Sequence, residues 1–407
     1  MKALLCHNHY RIRGGEDQVH LDEARLLESR GCQVVRYVRR SDDTEKMSLL
    51  TAARKTLWNH NSYRELRALI QQHQPDVMHC TNTFPLISPA AYAAARDERL
   101  PVVQSLHNFR TLCSNALLLR DSKVCETCLT KSVPLAGVLH RCYRNSYAAS
   151  TVMAALIAVQ RRRRAIDDPV TRYIALSEFS KQKYLAGGFS EDRISVKPNF
   201  VYPDPGPGSG SGGYMMFVGR LSEEKGLDVL IDAWSQLREP IPLKIVGDGP
   251  LAGMVEKAQR EDSRIEWLGR RTVEEVYSLV GDAVCLIVPS VWYEICPKTI
   301  LEAFSRGTPV VASKLGAMEE FIRHDETGWH FETGNAGDLA ARMRKIFAEP
   351  DLPASLRPRV RQEFEAKYTA DVNFECLIAI YAAAMGTSPD ELISDRLGES
   401  RRVPSLR

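Results

Sequence analysis

Short apolar segments alternate with helix-like stretches along almost the whole chain of 407 residues. Strand-length apolar runs separated by helical segments are typical of doubly wound α/β folds, in which helices cover both faces of a parallel sheet. The alternation therefore predicts two successive α/β series. Their strands are expected at Ala3–Cys6, Gln33–Tyr37, Val77–His79, Val102–Leu106 and Tyr173–Ala175, and then at Met215–Val218, Leu243–Val246, Arg264–Leu268, Val284–Val288 and Pro309–Ala312.

A segment rich in glycine and proline separates the two series. Residues 203–213 contain too many of these residues for a packed element, so they are predicted to form a domain linker. Residues 1–202 then form the first domain and residues 214–385 the second, with a polar tail at 386–407. Such domains would enclose a cleft between the carboxyl ends of their strands. The last helix, about Ala370–Ala384, is expected to pack back across the domains.

The net charge of +3 conceals an asymmetry between the halves of the chain. Residues 1–204 carry 30 basic and 20 acidic side chains and residues 205–407 carry 24 and 31, which gives net charges of +10 and −7. This asymmetry indicates an anionic partner for the basic half, such as a polyanion or a membrane surface. With 44% hydrophobic and 26% charged residues, the composition excludes a disordered, collagenous or disulfide-rich small protein.

The chain lacks an apolar segment of membrane-spanning length, and its first residues do not form a signal peptide. We therefore expect a cytoplasmic protein, either free or attached peripherally to the inner face of the membrane. In a reducing compartment, its ten cysteines would be thiols or metal ligands rather than disulfides.

Two glutamates eight positions apart carry the strongest chemical signal. Glu294 follows the predicted strand Val284–Val288. Pro297 suits the start of a helix that would hold Glu302 in its second turn. Free backbone N–H groups at that helix start would form an anion site. The alternative is a capped helix with two solvated acids.

A glycine followed by two cations gives the second signal. Gly219 ends a predicted strand, and Arg220 and Lys225 come directly afterwards, before Gly226. Glycine permits close approach of a ligand to the backbone, and two cations can neutralise a diphosphate. Each contact between a cation and a phosphate near 4 Å contributes on the order of 4 kcal/mol before desolvation, at an effective dielectric constant of about 20. Taken alone, the two cations would be surface charges.

Together with further motifs, these residues resemble glycosyltransferase family 4 over about residues 1–385. The resemblance implies the GT-B fold, an α/β architecture of two Rossmann-like domains facing a central cleft, with the donor held by the second domain and the acceptor by the first. It also implies sugar transfer with retention of configuration and without a catalytic metal. The motifs that carry it are Gly14-Gly15, His107, Ser177-Glu178, Pro198-Asn199, Gly219-Arg220, Lys225-Gly226, Gly247-Asp248-Gly249-Pro250, Glu294, Glu302 and Gly316-Ala317-Met318-Glu319-Glu320.

The resemblance implies roles for individual residues. Arg220 and Lys225 would bind the donor diphosphate and stabilise the departing nucleotide. Glu302 would accept hydrogen bonds from the ribose. Glu294 would hold the donor sugar, and His107, for which a structural role is the alternative, would face that sugar. The implied catalytic set is Glu294, His107, Arg220 and Lys225, and the implied donor-binding set is Gly14, Gly15, Gly219, Arg220, Lys225, Ile295, Cys296, Pro297, Lys298 and Glu302.

Two routes to retention remain open at this stage. A double displacement needs a carboxylate against the anomeric carbon, as in retaining glycosidases. In front-face attack, the donor phosphate itself takes the proton of the acceptor. We favour the front-face route because Arg220 and Lys225 can stabilise the leaving diphosphate.

A cysteine-rich insertion at about residues 108–146 departs from the general family pattern. Its four cysteines are Cys113, Cys125, Cys128 and Cys142, with a Cys-x2-Cys pair in the middle. The pair with two flanking cysteines indicates a structural zinc site, and four reduced thiols are the alternative. A zinc-finger-like nucleic-acid site is disfavoured because the segment lacks interleaved aromatic residues, so no nucleic-acid partner is expected.

An apolar segment, Val152–Val159, leads into four consecutive arginines at 161–164. This pattern is close to that of a membrane-surface helix, for which four arginines would contribute about 4 kcal/mol at an anionic leaflet. A core helix that ends in solvated arginines is the alternative.

The sequence thus predicts a retaining glycosyltransferase that moves a sugar from a UDP- or GDP-sugar to a lipid-linked or growing polysaccharide acceptor in cell-envelope or exopolysaccharide biosynthesis. A catalytically idle GT-B scaffold is one alternative. A dinucleotide oxidoreductase is another, but it needs Gly-x-Gly-x-x-Gly after the first strand, where this chain has Cys6-His7-Asn8-His9-Tyr10.

Overall fold

The chain divides into two compact units in a computed structural model that describes residues 1–11, 14–45 and 47–392. The first unit comprises Met1–Leu117, Thr127–Pro198 and the chain from Asn373 onward. The second comprises Leu118–Glu126 and Asn199–Val372. Of the predicted tail at 386–407, residues 393–407 lie outside the described residues.

The first unit is built on a six-stranded parallel sheet with the strand order β2-β1-β3-β4-β7-β8. Its inner strands β1 and β3 are buried along almost their whole length, as in parallel sheets whose two faces are covered by helices. All six residues of β3 are buried. The strands are β1 (Lys2–His9), β2 (Gln33–Arg40), β3 (Val77–Asn82), β4 (Val102–Ser105), β7 (Arg172–Ala175) and β8 (Ile194–Val196).

Helices of the first unit alternate with these strands as the sequence predicts. Ser177 caps one of them, since its hydroxyl accepts a hydrogen bond from the backbone N–H of Ser180. The helices are α1 (Gly15–Ser29), α2 (Leu49–Leu57), α3 (His60–His73), α4 (Ala90–Asp97), α5 (Leu135–Leu139), α6 (Tyr147–Asp167) and α7 (Glu178–Ala186), with 3-10 turns at Ser41–Thr44, Phe109–Thr111 and Glu191–Arg193.

The second unit contains another six-stranded parallel sheet, with the order β11-β10-β9-β12-β13-β14. Counted within the unit this order is 3-2-1-4-5-6, the Rossmann order, and it reverses between β9 and β12. The strands are β9 (Met215–Val218), β10 (Leu243–Val246), β11 (Ile265–Gly269), β12 (Cys285–Val288), β13 (Val310–Ser313) and β14 (Gly328–Phe331), and a two-stranded hairpin adds β5 (Leu119–Arg120) and β6 (Lys123–Val124).

The helices of the second unit follow the same alternation. A 3-10 turn at Glu223–Lys225 precedes the first of them. The helices are α8 (Leu227–Ser235), α9 (Ala252–Glu261), α10 (Val273–Asp282), α11 (Lys298–Ser305), α12 (Ala317–Phe321), α13 (Ala336–Ala348) and α14 (Asp351–Lys367). The predicted α/β fold with two Rossmann-like sheets is therefore confirmed.

The predicted linker at 203–213 is wrong, because this segment is packed within the second unit. The backbone N–H groups of Gly208, Gly210 and Gly212 donate to the carbonyls of Arg306, Gly281 and Asp282. A Cβ at Gly208 would lie 2.3 Å from the Cα of Gly281. Glycine therefore serves close backbone approach here rather than flexibility, and the boundary between the units falls at Pro198.

The last helix, α15 (Ala370–Met385), belongs mainly to the first unit, although the sequence placed it in the range of the second domain. Its residues Leu377 and Tyr381 are fully buried. The Tyr381 hydroxyl lies 2.9 Å from Nδ1 of His79 on β3, which fixes this helix against the first sheet. Among residues 1–392, apart from the short gaps, no helix combines the length and apolar character that a bilayer span requires.

Candidate active site

Lys225 and Glu294 form an ion pair at the carboxyl ends of neighbouring strands of the second unit. The Lys225 ammonium lies 2.6 Å from Oε1 of Glu294. Lys225 ends the 3-10 turn that follows β9, and Glu294 lies in the loop after β12. These strands flank the point where the strand order reverses, which is where open α/β sheets bind their ligands. Two residues 69 positions apart in sequence thus meet at the expected binding edge.

A glycine holds the lysine turn against the loop after β12. Gly226 has a φ of 68°, a left-handed conformation that glycine adopts without strain. A Cβ at this position would lie 1.9 Å from the carbonyl oxygen of Pro289. The N–H of Val291 also donates to the carbonyl of Glu224. Both features fix Lys225 beside Glu294.

The Glu294 carboxylate is buried and receives three hydrogen bonds on a single oxygen. In addition to Lys225, the Ser290 hydroxyl donates to Oε1 at 2.7 Å and the Trp292 indole donates to it at 3.0 Å. Within the described part of the chain, Oε2 of Glu294 has no hydrogen-bond partner. This oxygen can therefore accept a hydrogen bond from a ligand, while the other oxygen fixes the orientation of the carboxylate.

The loop after Glu294 leads into helix α11, as the sequence predicts. Pro297 is the N-cap, and residues 294–297 are buried. The carbonyl of Cys296 accepts a hydrogen bond from the amide of Asn199, which fixes the loop before the first turn. Ile295 packs inward, while Lys298 and Glu302 are half-buried on the first turns. Helix α11 therefore directs its amino end and Glu302 to the same edge of the sheet.

Gly219 and Arg220 lie at the end of β9, next to the loop that follows β10. The N–H of Gly219 donates to the carbonyl of Val246, and that of Leu221 donates to the carbonyl of Asp248. Arg220 is exposed, and its side chain contacts neither Lys225 nor Glu294. In the described chain, its guanidinium makes no hydrogen bond or ion pair. The structure thus brings Lys225 and Glu294 together and leaves Arg220 in solvent.

In the first unit, Gly14 is the N-cap of helix α1 and Gly15 is its first residue, and both are exposed. The N–H of Gly14 donates to Oδ2 of Asp17, a residue that the sequence analysis did not single out. Oδ1 of Asp17 lies 2.7 Å from Nε2 of His7 and 3.0 Å from Nδ1 of His9. Burial opposes ionisation of Asp17, but hydrogen bonds from His7, Gly14 and His9 outweigh it and lower its pKa to about 2.

The donor atoms of His7, His9 and Asp17 lie within 4.8 Å of one another, so this set could hold a metal ion. In the structure, both histidines contact the carboxylate of Asp17, and these contacts join the end of β1 to the start of α1. The only sequence signal for this cluster is the pair of histidines after a strand, which is too weak to predict it.

His107 is half-buried in the loop after β4. Burial lowers the pKa of His107 to about 3, so its imidazole is neutral at physiological pH. A buried ion pair lies in the same unit, where the ammonium of Lys197 is 2.8 Å from Oε1 of Glu23. Burial opposes ionisation of Glu23, but the charge of Lys197 outweighs it and lowers the pKa of Glu23 to about 2.

Glu16 and Arg110 are two further polar residues of the first unit that the sequence analysis missed. Burial raises the pKa of Glu16 to about 7, against hydrogen bonds from Tyr10 and Asn108 and the charge of Arg110. The Tyr10 hydroxyl donates to Oε2 of Glu16 at 2.8 Å. Arg110 stacks on Phe84, with its guanidinium carbon 4.0 Å from the ring centre.

The four cysteines of the insertion divide between the units. Cys113, Cys128 and Cys142 belong to the first unit and Cys125 to the second. Cys113 and Cys128 are buried, and Cys125 and Cys142 are half-buried. The thiol of Cys113 donates to the side-chain oxygen of Asn115 at 2.9 Å. The zinc assignment stays a prediction.

Helix α6 contains the segment 152–164, for which the sequence left a membrane-surface helix and a core helix as alternatives. Met153, Ala154, Leu156 and Ile157 are buried, so the apolar face of this segment belongs to the core. Two of the four arginines are also structural. Arg161 donates to the carbonyls of Leu112, Cys128, Leu129 and Lys131, and Arg164 stacks 4.0 Å above the ring centre of Phe189. Only Arg162 and Arg163 of the four are exposed.

The protein thus has two Rossmann-like α/β units, and the second carries a half-buried ion pair of an ammonium and a carboxylate where its strand order reverses. Open α/β sheets of this class bind their ligands at the carboxyl ends of their strands. Residues 13–204 match the sequence family described as Glycosyltransferase Family 4, and residues 212–349 match the family Glycosyl transferases group 1. The chain therefore belongs to the group 1 and family 4 glycosyltransferases.

Curated relatives match part of the chain. The glycosyltransferase WcaL of Escherichia coli K12, assigned to colanic acid biosynthesis, is 32% identical over 168 residues, which cover 38% of this chain and 41% of the relative. The amylovoran biosynthesis glycosyltransferase AmsK of Erwinia amylovora is 29% identical over 164 residues, which cover 37% and 40%. The chain thus spans less than half the length of these relatives.

A solved structure matches nearly the whole chain in fold. Alr3699/HepE of Anabaena, in complex with UDP and glucose, aligns with a TM-score of 0.64 at 17% identity, covering 93% of this chain and 98% of that protein. At this identity, the likeness shows the fold alone, and the fold is that of GT-B glycosyltransferases.

Proposed function

We propose that this protein is a retaining glycosyltransferase that moves a sugar from a nucleoside diphosphate sugar to an acceptor in polysaccharide biosynthesis. The observation that carries the proposal is the ion pair between Lys225 and Glu294 at the strand reversal of the second unit. A buried carboxylate fixed through one oxygen, beside a cation and a helix amino end, can bind a sugar hydroxyl and a diphosphate at adjacent positions. The family membership and the biosynthetic assignments of WcaL and AmsK support the same reaction.

In this proposal, Lys225 and Arg220 stabilise the negative charge that develops on the departing nucleotide, because fixed cations act most strongly where charge appears in the transition state. Lys225 is held in place before the donor binds, whereas exposed Arg220 is free to turn towards the diphosphate. Glu302, on the second turn of α11, accepts hydrogen bonds from the ribose. Gly219 allows the backbone to approach the diphosphate closely.

Glu294 holds the donor sugar through Oε2, together with backbone N–H groups of Ile295 to Lys298. Its other oxygen already accepts three hydrogen bonds, so the carboxylate is oriented and stabilised as an anion. Such stabilisation lowers its nucleophilicity, which supports the front-face route over a double displacement. From the resemblance to family 4, we assign the Gly14-Gly15 loop of the first unit to the donor phosphates and His107 to the transferred sugar.

A nucleotide panel tests the donor class. UDP, GDP and other nucleoside diphosphates are added to the purified chain, and the unfolding temperature is measured. A ligand that binds only the folded state stabilises it by RT ln(1 + [L]/Kd), which is about 2.7 kcal/mol at 100 times Kd. At least one diphosphate should raise the unfolding temperature by a few degrees. The increase should shrink in Glu302→Gln and persist in Glu256→Gln, an exposed control on α9. If no diphosphate stabilises the chain, the donor site is wrong.

Attachment to an anionic membrane surface belongs to the same proposal, because a lipid-linked acceptor lies at that surface. Helices α2 and α5 both pack against α6 in the first unit. Leu50 is 81% exposed on α2, Leu139 is 71% exposed on α5, and Ile166 is 74% exposed on α6. Arg162 and Arg163 supply two exposed cations on α6. At about 1 kcal/mol per cation, the electrostatic contribution is about 2 kcal/mol, half of that expected from four arginines.

A further inference from the structure

A hollow lined by apolar and polar side chains opens at the carboxyl edge of the first sheet, where β3 and β4 end. It is lined by Asn82 at the end of β3, by Gln104 on β4, and by His107, Arg110 and Thr111 in the following loop. This hollow is formed entirely by residues of the first unit. Its lining residues therefore do not include Lys225 or Glu294.

Three of the side chains that line this hollow carry buried polar atoms without hydrogen-bond partners. They are Nε2 of His107, Nε and Nη1 of Arg110, and Oγ1 of Thr111. In the described residues, no acceptor or donor reaches these atoms. Folded proteins leave few buried polar groups unsatisfied, because each costs about 1–3 kcal/mol and more when the group is charged. A concentration of such atoms around one hollow indicates a ligand that completes their hydrogen bonds.

The charged side chain that lines the hollow, that of Arg110, favours an anionic ligand. No acidic side chain lines it, and no carboxylate oxygen of the described chain lies within ion-pair distance of the Arg110 guanidinium. The carboxyl group of Glu16 interacts electrostatically with Arg110, but burial raises the pKa of Glu16 to about 7, so it is only partly ionised at neutral pH. The carboxyl group of Glu16 therefore balances the positive charge of the guanidinium only in part.

The loop holds Arg110 and Thr111 in place before any ligand binds. Both residues lie in the 3-10 turn Phe109–Thr111, and the Asn108 side chain caps this turn by accepting the N–H of Arg110 at 3.2 Å. Phe109 is fully buried, and the guanidinium carbon of Arg110 lies 4.0 Å from the ring centre of Phe84. A group fixed in this way loses little conformational freedom on binding.

We propose that this hollow binds a phosphate group of the acceptor substrate, with Arg110 as its counter-ion and Thr111 as a hydrogen-bonding partner. Separate side chains offer polar atoms to one space, which fits the several oxygens of a phosphate better than the two oxygens of a planar carboxylate. The identification of the phosphate as part of the acceptor rests on the proposed glycosyl transfer. The binding of a phosphate group in the hollow does not depend on the proposed glycosyl transfer.

Phosphate binding to the whole chain tests this inference. Titration calorimetry is carried out with inorganic phosphate, glucose 6-phosphate and farnesyl phosphate, each in the presence of a saturating nucleoside diphosphate that fills the donor site. The wild type should bind phosphate, and Arg110→Gln should weaken the binding about 10-fold or more. Thr111→Val should weaken it less. Arg96→Gln, an exposed arginine on α4 of the same unit, should leave it unchanged.

The two phosphate esters separate the sources of the group. Tighter binding of farnesyl phosphate than of glucose 6-phosphate supports a lipid-linked phosphate, and the reverse supports a phosphate on the glycan. Binding of phosphate to Arg110→Gln with wild-type affinity, or loss of phosphate binding when the donor site is filled, overturns the inference. Unchanged affinity of Arg110→Gln for the nucleoside diphosphate shows that the variant is folded. Failure of the hollow is therefore distinguishable from failure of the proposed donor site.

Discussion

Replacing Lys225 with methionine should weaken binding of the donor nucleotide without unfolding the second unit. The ammonium of Lys225 contacts Oε1 of Glu294 at 2.6 Å in the ligand-free chain. On donor binding it would also contact the diphosphate. Methionine keeps the length of the side chain and its apolar contacts but removes the charge.

The magnitude follows from the geometry of the pair. A hydrogen bond to a charged group contributes about 1.5–3 kcal/mol net, which corresponds to a change in Kd of about 10- to 100-fold. Without the ammonium, the buried carboxylate of Glu294 also faces the diphosphate with no cation between them. We therefore expect the upper part of this range. We also expect the double variant Lys225→Met/Glu294→Gln to bind the nucleotide more tightly than Lys225→Met alone, because the second change removes the repulsion.

Titration calorimetry with the stabilising nucleoside diphosphate measures these affinities. The matched control is Lys257→Met, an exposed lysine on α9 whose partner Glu261 is 3.8 Å away. This variant should bind like the wild type, because exposed ion pairs of this kind contribute little. A Lys225→Met variant that binds within about twofold of the wild type, well below the loss expected for a charged hydrogen bond, refutes the assigned role of this lysine.

Three further results are expected. Glu23→Gln should lower the free energy of unfolding by about 3–5 kcal/mol, because it leaves Lys197 as an unpaired buried charge. Because the folded-state pKa of Glu23 is lowered, the pair stabilises the wild type fully above pH ~4.5, and this contribution is lost as the pH falls towards ~2. Acid denaturation curves of Glu23→Gln should lack this loss. Purified protein should contain about one equivalent of zinc, and Cys128→Ser should lower the zinc content. A wild type with less than about half an equivalent of zinc counts against the predicted cysteine site. In flotation assays, replacing Arg162 and Arg163 with glutamine should weaken binding to anionic vesicles about 30-fold and leave binding to neutral vesicles unchanged. Equal binding of the wild type and the variant to anionic vesicles contradicts the electrostatic account.

Most strands could be predicted from the sequence because a parallel sheet buries both faces of each strand. Met215–Val218 and Leu243–Val246 have the predicted bounds. The strands Ile194–Val196 and Gly328–Phe331 were missed, because each is short and contains polar residues or glycine. The segment at 203–213 was misassigned, because glycine permits close packing as well as flexibility, and only the neighbouring backbone decides between them.

The candidate site could be predicted only where local sequence determines geometry. The proline at 297 and the strand before Glu294 correctly predicted the position of Glu302 on a helix. The ion pair of Lys225 with Glu294 depends on strand order, which composition and periodicity do not reveal. The same holds for Asp17, whose contacts with two histidines arise because β1 and α1 pack together, and for Arg110, whose missing partners appear only in the folded chain.

Transfer of a labelled sugar tests the central proposal most directly. Bacterial membranes that contain lipid-linked saccharides are incubated with purified protein and a radiolabelled sugar of the stabilising nucleotide, and label is measured in the lipid and glycan fractions. The wild type should incorporate label, and Glu294→Ala should incorporate none above background while remaining folded by circular dichroism. Incorporation by Glu294→Ala at the wild-type rate would contradict the site, and the absence of incorporation by the wild type with every stabilising nucleotide sugar would contradict the proposed function.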